Sequence, residues 1–251
     1  MLTDGRVLCW FSCGAASAVA AKKTVEKYPN ALVIYNDTLA TEHPDNARFM
    51  RDVSNWIGKK ILTIKSERYA TVDDVIEQRR YMSGPKGALC TVEMKKIPRQ
   101  NFQLPGDLHI FGLTHDEQSR IVRFDSQNDI DTEWILSENK TTKDDCFVIL
   151  NNAGIKRPIM YDLGFKNNNC IGCVKVTSPK YWRRVLNLFP EVFWKRVRQS
   201  SALGVKMLEQ ARDGKKKRFF LSELPSLIDV AEDVEPSVEC GVLCEYQELP
   251  R

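Results

Sequence analysis

The chain has 251 residues, of which 43% are hydrophobic and 28% are charged, and this balance excludes a disordered or fibrous protein. Its 37 basic and 33 acidic residues give a formal net charge of +4, which is too small an excess to indicate nucleic-acid binding by itself. No apolar run approaches the roughly 20 residues of a membrane-spanning helix, and the first residues show no export signal, so we expect a cytoplasmic protein without a membrane partner.

Short apolar runs alternate with helical patterns in the first half of the chain. Strands are predicted at residues 7–11, 31–35, 60–64 and 108–113, and helices at residues 18–27, 44–57 and 72–80. Strands that alternate with helices at this spacing are typical of a parallel sheet covered by helices on both faces. The sequence therefore predicts an α/β fold with a parallel sheet of about five strands.

The last third of the chain has a helical pattern. Helices are predicted at residues 143–150, 179–189 and 192–208, with Pro190 between the last two. Aromatic residues in this region are expected to pack internally, namely Tyr181, Trp182, Phe189, Phe193 and Trp194. We therefore predict an α/β domain over residues 1–142 and a helical, cysteine-containing C-terminal extension over residues 143–251 that packs on it.

Basic residues cluster in this extension, at residues 183–184, 195–198 and 215–218. Such clusters usually form a solvated basic face. The alternative is that they contact the phosphates of a nucleic acid. Both interpretations remain open from the sequence.

The turn after the first strand is the strongest candidate for a ligand site, because ligands of open parallel sheets bind beyond the carboxyl ends of the strands. It reads Ser12-Cys13-Gly14-Ala15-Ala16-Ser17, and it supplies small side chains and backbone N–H groups just before a helix. A helix N-terminus favours an anion, so the segment predicts a phosphate cradle, with a plain tight turn as the alternative. Asp37 closes the second strand at the same edge of the sheet.

A second polar segment follows the fourth strand and begins at Gly112. It contains His115, Arg120 and Arg123. Paired arginines bind anions in bidentate fashion, which predicts that Arg120 and Arg123 clamp a phosphate or sulfate. The alternative is a pair of surface arginines held in salt bridges.

Eight cysteines in a chain without an export signal favour metal or thiol chemistry over a disulfide framework. Cys170 and Cys173 form a Cys-x-x-Cys knuckle in which Gly172 permits a tight turn, and Cys90 precedes it by 80 positions. Three alternatives remain open: an iron–sulfur cluster, a zinc ion completed by Cys240 or Cys244, and free thiols. Two other cysteines, Cys9 and Cys146, are expected to be buried small hydrophobes.

These segments together resemble the phosphoadenylyl-sulfate (PAPS) reductase family of the adenine-nucleotide α-hydrolase superfamily. The 12–17 turn is similar to the superfamily loop Ser-Gly-Gly-x-Asp-Ser, with Cys13 in place of a glycine and Ala16 in place of the aspartate. Residues 112–120 are similar to the signature Gly-x-Arg-x-Asp/Glu-x-Ser-x-x-Arg. The resemblance implies that an adenine nucleotide, ATP or PAPS, is held by Ser12, Cys13, Gly14, Ala15, Ser17, Asp37, Gly112, His115 and Arg123.

The cysteines extend this resemblance. The spacing of Cys90, Cys170 and Cys173 is similar to the [4Fe-4S] pattern of the adenylyl-sulfate reductase branch, with Leu89 where the first of a tandem cysteine pair is usual. Residues 239–244 resemble the C-terminal Glu-Cys-Gly-Leu-His segment that carries the family's nucleophile, which matches Cys240, and Cys244 is an additional candidate ligand. The resemblance thus implies cluster ligands and a catalytic thiol in one chain.

Three functions follow as hypotheses. The first is thiol-dependent reduction of activated sulfate, with Cys240 attacking the sulfur, Arg120 nearby and a thioredoxin-type protein as reductant. The second is ATP-dependent sulfur transfer to a nucleic acid, as in transfer-RNA thiolation or DNA phosphorothioation. The third is a non-catalytic binding module stapled by zinc. We also expect a homo-oligomer.

Overall fold

A computed structural model describes residues 5–84, 87–212 and 215–227 of the chain. Within these residues a central sheet contains five strands, which are β1 (Val7–Phe11), β2 (Leu32–Asn36), β3 (Leu62–Ile64), β4 (Leu108–Phe111) and β5 (Thr132–Glu133). The strand order is β3-β2-β1-β4-β5, and every neighbouring pair is parallel. The predicted α/β fold with a parallel sheet of about five strands is confirmed.

The apolar run of β1 places it at the centre of the sheet, where both faces are buried. Cys9 and Phe11 pack into the hydrophobic core on one face, and Leu8 and Trp10 pack into the core on the other. This alternation follows from the two-residue period of a strand. The carboxyl end of β1, which leads into the 12–17 turn, therefore lies in the middle of the sheet edge.

Helices and short turns connect and cover the strands. The α-helices of the described residues are α1 (Ala15–Lys27), α2 (Asp45–Ile57), α3 (Val72–Arg79), α4 (Leu89–Thr91), α5 (Ile97–Phe102), α6 (Gln118–Gln127), α7 (Ile135–Glu138), α8 (Lys143–Asn152), α9 (Ile159–Asp162), α10 (Pro179–Leu188) and α11 (Pro190–Ala202). A π turn, Val92–Lys96, joins α4 to α5, and 3-10 turns lie at Leu39–Thr41, His115–Glu117 and Leu221–Ser226. Among these helices none is long and apolar enough to cross a membrane.

The predicted helix over residues 192–208 is wrong at its end. Helix α11 stops at Ala202, Gly204 adopts a left-handed conformation with φ of 65°, and Leu208 begins a strand. Strands β6 (Leu208–Arg212) and β7 (Lys215–Phe219) form an antiparallel hairpin that the sequence pattern did not predict. The sequence of β7 does not show the alternation of apolar and polar residues that marks a strand, because four consecutive residues are basic and all four side chains are exposed.

Three of the five aromatic residues of the extension are buried as predicted, and Phe189 is half-buried against the same core. Tyr181, Trp182 and Phe193 lie in the core, whereas Trp194 is 46% exposed and its predicted burial is wrong. Phe193 takes the inward position on α11, so the adjacent Trp194 faces outward. The same core also contains residues from 69 to 94, including Cys90. Part of the first half of the chain thus packs together with the extension.

Candidate functional site

The turn between β1 and α1 adopts an unusual backbone conformation. Cys13 has φ of 57°, in the left-handed region where glycine is favoured, and its side chain is fully buried in the core. Burial, together with the negative charge of Glu42, raises the pKa of the Cys13 thiol well above its ordinary value. Cys13 is therefore a neutral packing residue whose backbone, rather than its thiol, shapes the turn.

Two serines hold this turn closed. The hydroxyl of Ser17 accepts a hydrogen bond from the backbone N–H of Ser12 at 3.0 Å and donates one to the carbonyl of Gly14 at 3.0 Å. The N–H of Ala15 donates to the hydroxyl of Tyr161 at 3.4 Å. These bonds fix the loop at the first turn of α1, where unpaired N–H groups and the helix dipole favour an anion.

The end of β4 approaches this turn closely at Gly112. A Cβ atom at Gly112 would lie 2.6 Å from Cα of Ser17, a separation that the packing of real side chains does not allow. The glycine is therefore required for β4 to pass the first turn of α1. This contact explains why the sequence has glycine where the second polar segment begins.

A cavity opens in front of the turn. It is lined by Ser12, Gly14, Ala16, Ser17, Gly112, Lys143, Tyr161, Asn167, Asn168 and Asn169. Its volume of about 50 Å³ suits a single anionic group better than a whole nucleotide. The ammonium group of Lys143 adds positive charge at the rim. Predicted residues Cys13 and Ala15 do not line it, because their side chains point into the core.

The sequence analysis missed the polar residues of the opposite wall. Lys143 begins α8, and the Asn167 to Asn169 run stands directly before the Cys-x-x-Cys knuckle. Three consecutive asparagines next to candidate ligands are a signal that could have been used. Asn168 is only 6% exposed, and its amide donates to the carbonyl of Cys13 at 2.7 Å and to Oδ1 of Asn46 at 2.8 Å.

A buried carboxylate supports this wall. Glu42 accepts hydrogen bonds from the hydroxyl of Tyr35 at 2.8 Å, from Oγ1 of Thr38 at 2.6 Å and from the amide of Asn46 at 2.7 Å. Burial, assisted by the charge of Glu42, raises the pKa of Tyr35, so the phenol remains protonated. The three donors satisfy a carboxylate that would otherwise be costly to bury. The network therefore fixes Asn46, and through it Asn168.

The three predicted metal-ligand cysteines that the structure describes line one small cavity. Cys90, Cys170 and Cys173 share it with Thr38, Val72, Lys95, Gly172, Val174 and Arg196. Cys90 lies in α4, and Lys95, which the sequence analysis missed, lies in the π turn of the same continuous helix. A π turn is frequent at functional sites, and here it belongs to the segment that brings Cys90 and Lys95 to the same cavity.

The knuckle itself is fixed by contacts on both sides. Sγ of Cys170 lies 3.2 Å from Oγ1 of Thr41, and the N–H of Cys173 donates to the hydroxyl of Tyr181 at 2.9 Å. Burial raises the pKa of Tyr181, and the neighbouring charge of Cys173 adds to this effect. The left-handed φ of Gly172, 67°, confirms the tight turn expected between the two cysteines.

Arg196 holds the knuckle from α11. Its side chain is buried, donates from Nε to the carbonyl of Gly172 at 3.0 Å, and forms an ion pair with Asp73. Burial alone would raise the pKa of Asp73, but the charge of Arg196 and hydrogen bonds from Lys195 and Arg196 lower it to about 2. Arg196, which lines the thiol cavity, is thus held in a buried ion pair whose carboxylate stays ionised.

The donor set suits a cluster in its chemistry, because thiolates are the usual ligands and two cations adjoin the cavity. Within residues 5–84, 87–212 and 215–227, however, no group of three or more histidine, cysteine, aspartate or glutamate side chains is arranged to hold a metal ion as it stands. The candidate ligand Cys244 and the candidate nucleophile Cys240 lie outside the described residues. The metal assignment therefore depends on the shared cavity alone and stays a prediction.

The remaining predicted residues lie away from the anion cavity. Arg120 forms an ion pair with Glu117, Arg123 is exposed on α6, and neither lines the cavity. His115 is exposed, and its backbone N–H donates to the carbonyl of Thr141 at 2.9 Å. Asp37 follows β2 and accepts a hydrogen bond from the N–H of Leu39 at 3.3 Å. Their ligand-binding roles stay predictions.

The other two predicted cysteines, Cys9 and Cys146, are fully buried, as expected.

The basic clusters include both internally bonded and exposed side chains. Arg183 donates a hydrogen bond to the backbone carbonyl of Leu224 at 2.9 Å, so its guanidinium group is used within the protein. The basic residues of β7 are exposed, with Lys216 and Arg218 paired to Glu209 at 3.0 and 2.8 Å.

Comparison with known proteins gives a likeness of fold. No protein-family model and no curated protein matches the chain. Fourteen chains of solved structures match, among them the phosphoadenylyl-sulfate (PAPS) reductase from Candida auris in its phosphate complex. The chain is 13% identical to that protein, the alignment covers 67% of this chain and 83% of that chain, and the TM-score is 0.49.

Proposed function

We propose that the chain is an enzyme of sulfur chemistry that binds an adenine nucleotide, with the phosphate or sulfate group at the Ser12 to Ser17 turn. The observation that carries this proposal is the hydrogen bond that joins the anion-binding turn to the segment just before the Cys-x-x-Cys knuckle. Asn168 bonds to the carbonyl of Cys13 in the anion-binding turn, and it lies two positions before Cys170 in the thiol cavity. An anion site and a thiol site that are lined by consecutive stretches of one segment, Asn167–Asn169 and Cys170–Val174, suit a reaction between a nucleotide-linked group and sulfur.

The proposed reaction is thiol-dependent reduction of an activated sulfate. The thiolate of Cys240 attacks the sulfur, a sulfur–sulfur bond forms, and the bond from sulfur to the nucleotide phosphate oxygen breaks, releasing the nucleotide. A dithiol of the thioredoxin type then supplies the two electrons that release sulfite, and it is oxidised to a disulfide. Attack requires the thiolate form. The turn and Lys143 hold the negative charge of the leaving nucleotide in this scheme.

The three thiols of the second cavity are proposed to hold a [4Fe-4S] cluster, with zinc as the alternative. Cys90, Cys170 and Cys173 supply three ligands, and Cys244 is the candidate for the fourth. A bound cluster would supply iron that can bind sulfur, and it would bring its own charge into the thiol cavity. Lys95 and Arg196 would balance that charge, because both are nearly fully buried at the cavity.

A second candidate function is ATP-dependent sulfur transfer to a nucleic acid. The exposed basic side chains of strand β7, which are those of Lys215, Lys216, Lys217 and Arg218, favour it. Such a strand offers phosphate contacts that a small-molecule reductase does not need. In this alternative the nucleotide activates the acceptor, and the cysteine cavity holds the sulfur to be transferred.

The test begins with protein purified without oxygen, in which iron, sulfide and zinc are quantified. Binding of ATP, adenylyl sulfate and PAPS is then measured by calorimetry, and sulfite release is assayed with a dithiol reductant. Cys240→Ser is compared with Cys244→Ser, because the two residues share one segment. We expect sulfite release to vanish in Cys240→Ser with iron retained, and iron to fall in Cys244→Ser.

The outcomes separate the candidate functions. Sulfite release that survives Cys240→Ser contradicts the proposed nucleophile. Binding of ATP but neither sulfate ester, together with retention of a nucleic acid, supports sulfur transfer. Stoichiometric zinc without iron or any turnover supports the third hypothesis, a zinc-stapled binding module. Failure of all three nucleotides to bind contradicts the enzyme proposal as a whole.

A further inference from the structure

A separate cleft lies between helices α3 and α11. Its walls are formed by Ile76, Glu77, Arg80, Lys195, Arg198, Gln199, Ala202 and Leu203, and its volume is about 440 Å³. None of these residues lines the anion cavity or the thiol cavity. Three basic side chains surround an aliphatic floor, and only one acidic side chain joins them. The cleft therefore suits an occupant that is both acidic and aliphatic.

The positive charge of this cleft is only partly neutralised. Lys195 is paired with Asp73, and Gln199 donates to Oε1 of Glu77 at 3.2 Å. Arg80 and Arg198 are exposed, and neither forms an ion pair with another of the described residues. Two arginines beside an aliphatic surface are a good receptor for carboxylates, because guanidinium binds them with bidentate geometry.

We propose that the occupant is the acidic segment of this same chain that follows Leu227. Residues 228–235 read Ile-Asp-Val-Ala-Glu-Asp-Val-Glu and contain no basic residue. Their acidic members are Asp229, Glu232, Asp233 and Glu235. Their aliphatic members, Ile228, Val230 and Val234, match the aliphatic part of the cleft, where Ala202 and Leu203 keep accessible surface. The segment and the cleft are thus complementary in both charge and hydropathy.

The segment follows a turn that packs on α11, one of the two helices that form the cleft. The 3-10 turn Leu221–Ser226 packs against α10 and α11, and Arg183 binds the carbonyls of Leu224 and Leu227. Helix α11 also forms one wall of the cleft. Eight extended residues span at most about 29 Å, whereas a helix with its side chains is about 10–12 Å wide. The extended length of residues 228–235 is therefore more than twice the width of α11, which leaves about half of the segment for the cleft.

Docking in this position does not depend on the proposed reaction, but it has a consequence for it. Cys240 follows Glu235 by five residues, which is at most about 18 Å of extended chain. Arg196 on the same helix α11 borders the thiol cavity. A docked segment would therefore limit how far Cys240 can lie from α11.

The experiment is hydrogen exchange of the full chain, without nucleotide, read by mass spectrometry. We compare the wild type with the double variant Arg80→Glu plus Arg198→Glu. We expect amides in residues 228–235 to exchange at least fivefold faster in the variant, while those of α3 and α11 show that the fold is intact. Adding Glu232→Arg and Asp233→Arg to the double variant should restore the slower exchange by reversing the charges on both sides.

The matched control is Lys215→Glu plus Lys217→Glu, which makes the same charge change on exposed strand β7. It should leave exchange of residues 228–235 unchanged. A second measurement is carbodiimide coupling of the Arg198→Lys variant. The amine introduced by that substitution, or the amine of Lys195, should become linked to an acidic residue of the segment within one molecule.

Equal exchange of residues 228–235 in the wild type and the double variant overturns the proposal. So do cross-links found only between molecules, or protection of the cleft only by an added acidic peptide or oligonucleotide. All these readouts are made without nucleotide or turnover, so they fail or succeed independently of the proposed function.

Discussion

The side-chain amide of Asn168 donates a hydrogen bond to the backbone carbonyl of Cys13 at 2.7 Å, across 155 positions of sequence. The same amide binds Asn46, which Glu42 holds in turn. Cys13 belongs to the anion-binding turn, and Asn168 stands two positions before the first cysteine of the knuckle. One buried side chain therefore ties the segment before the knuckle to the anion-binding turn.

Replacing Asn168 with alanine should weaken both the fold and anion binding. The carbonyl of Cys13 and Oδ1 of Asn46 would each lose a donor, and a buried acceptor without a partner costs about 1–3 kcal/mol. We expect a loss of about 2–4 kcal/mol in the free energy of unfolding, measured in urea, and roughly tenfold weaker nucleotide binding by calorimetry. The exposed Asn152→Ala is the control and should change stability by less than about 0.5 kcal/mol. An Asn168→Ala variant as stable as the wild type would contradict the proposed link.

Two glycines at the anion cavity should respond differently to alanine. At Gly112 the new methyl group would lie 2.6 Å from Cα of Ser17, whereas at Gly14 its nearest neighbour would be the hydroxyl of Tyr161 at an ordinary 3.6 Å. Gly14 also has a φ of −92°, which alanine adopts without strain. We expect Gly112→Ala to destabilise the protein by about 1–3 kcal/mol and to displace the first turn of α1.

Gly14→Ala serves as the matched variant, and its thermal unfolding should follow that of the wild type within a few degrees. Unfolding curves of both variants, read by circular dichroism, test the difference. Equal midpoints for the two variants would show that β4 does not approach Ser17 as closely as described.

The buried cysteines should react slowly with alkylating reagents in the native protein. Burial raises the pKa of both Cys9 and Cys146 to about 12, so at pH 8 almost none of either thiol is ionised, and neither is accessible. We expect both to resist iodoacetamide in the native protein and to react fully in urea, as mass spectrometry of peptides would show. Cys13, which is equally buried, should behave in the same way. Alkylation of these three thiols at equal rates in native and unfolded protein would contradict their burial.

The sheet could be predicted from the sequence because its strands are apolar runs separated by helical patterns of ordinary length. The position of the 12–17 turn beyond a central strand was also predicted, since it follows from the topology of a parallel sheet. That inference needs only the order of the elements along the chain. Gly112, by contrast, was singled out through the family resemblance, and its ligand-binding role stays a prediction.

The walls of the sites could not be predicted in the same way. Lys143, Asn168 and Arg196 reach the cavities through tertiary packing, and each stands in a segment whose local pattern indicates only a helix or a loop. Arg196 belongs to a basic cluster that we interpreted as a solvated face or a phosphate contact, yet it is buried and binds Asp73 and Gly172. Hairpin β6–β7 was missed because a run of lysines does not show the alternation that marks a strand.

Stability should fall as the protein is acidified, because His109 is buried in its neutral form. Nδ1 of His109 accepts a hydrogen bond from Nε1 of Trp10 at 3.0 Å, which requires that nitrogen to be unprotonated. Burial, aided by the positive charge of Arg99, lowers the pKa of His109 to about 4. In the unfolded chain a histidine titrates near an ordinary value of about 6.5. Between these two pKa values the unfolded state binds a proton that the folded state does not.

The free energy of unfolding should therefore decrease as the pH falls from about 6.5 toward 4, by about 3 kcal/mol from this residue at pH 4. Replacing His109 with phenylalanine removes the titration but keeps an aromatic ring between Trp10 and Phe111, whose rings lie 6.0 and 6.1 Å from that of His109. The variant should be less stable at pH 7, since the indole N–H loses its acceptor, yet its stability should fall less steeply on acidification. Urea unfolding at pH 7, 5.5 and 4.5 measures both slopes. Parallel slopes for wild type and His109→Phe would mean that His109 is protonated in the folded protein and that its bond to Trp10 is not formed as described.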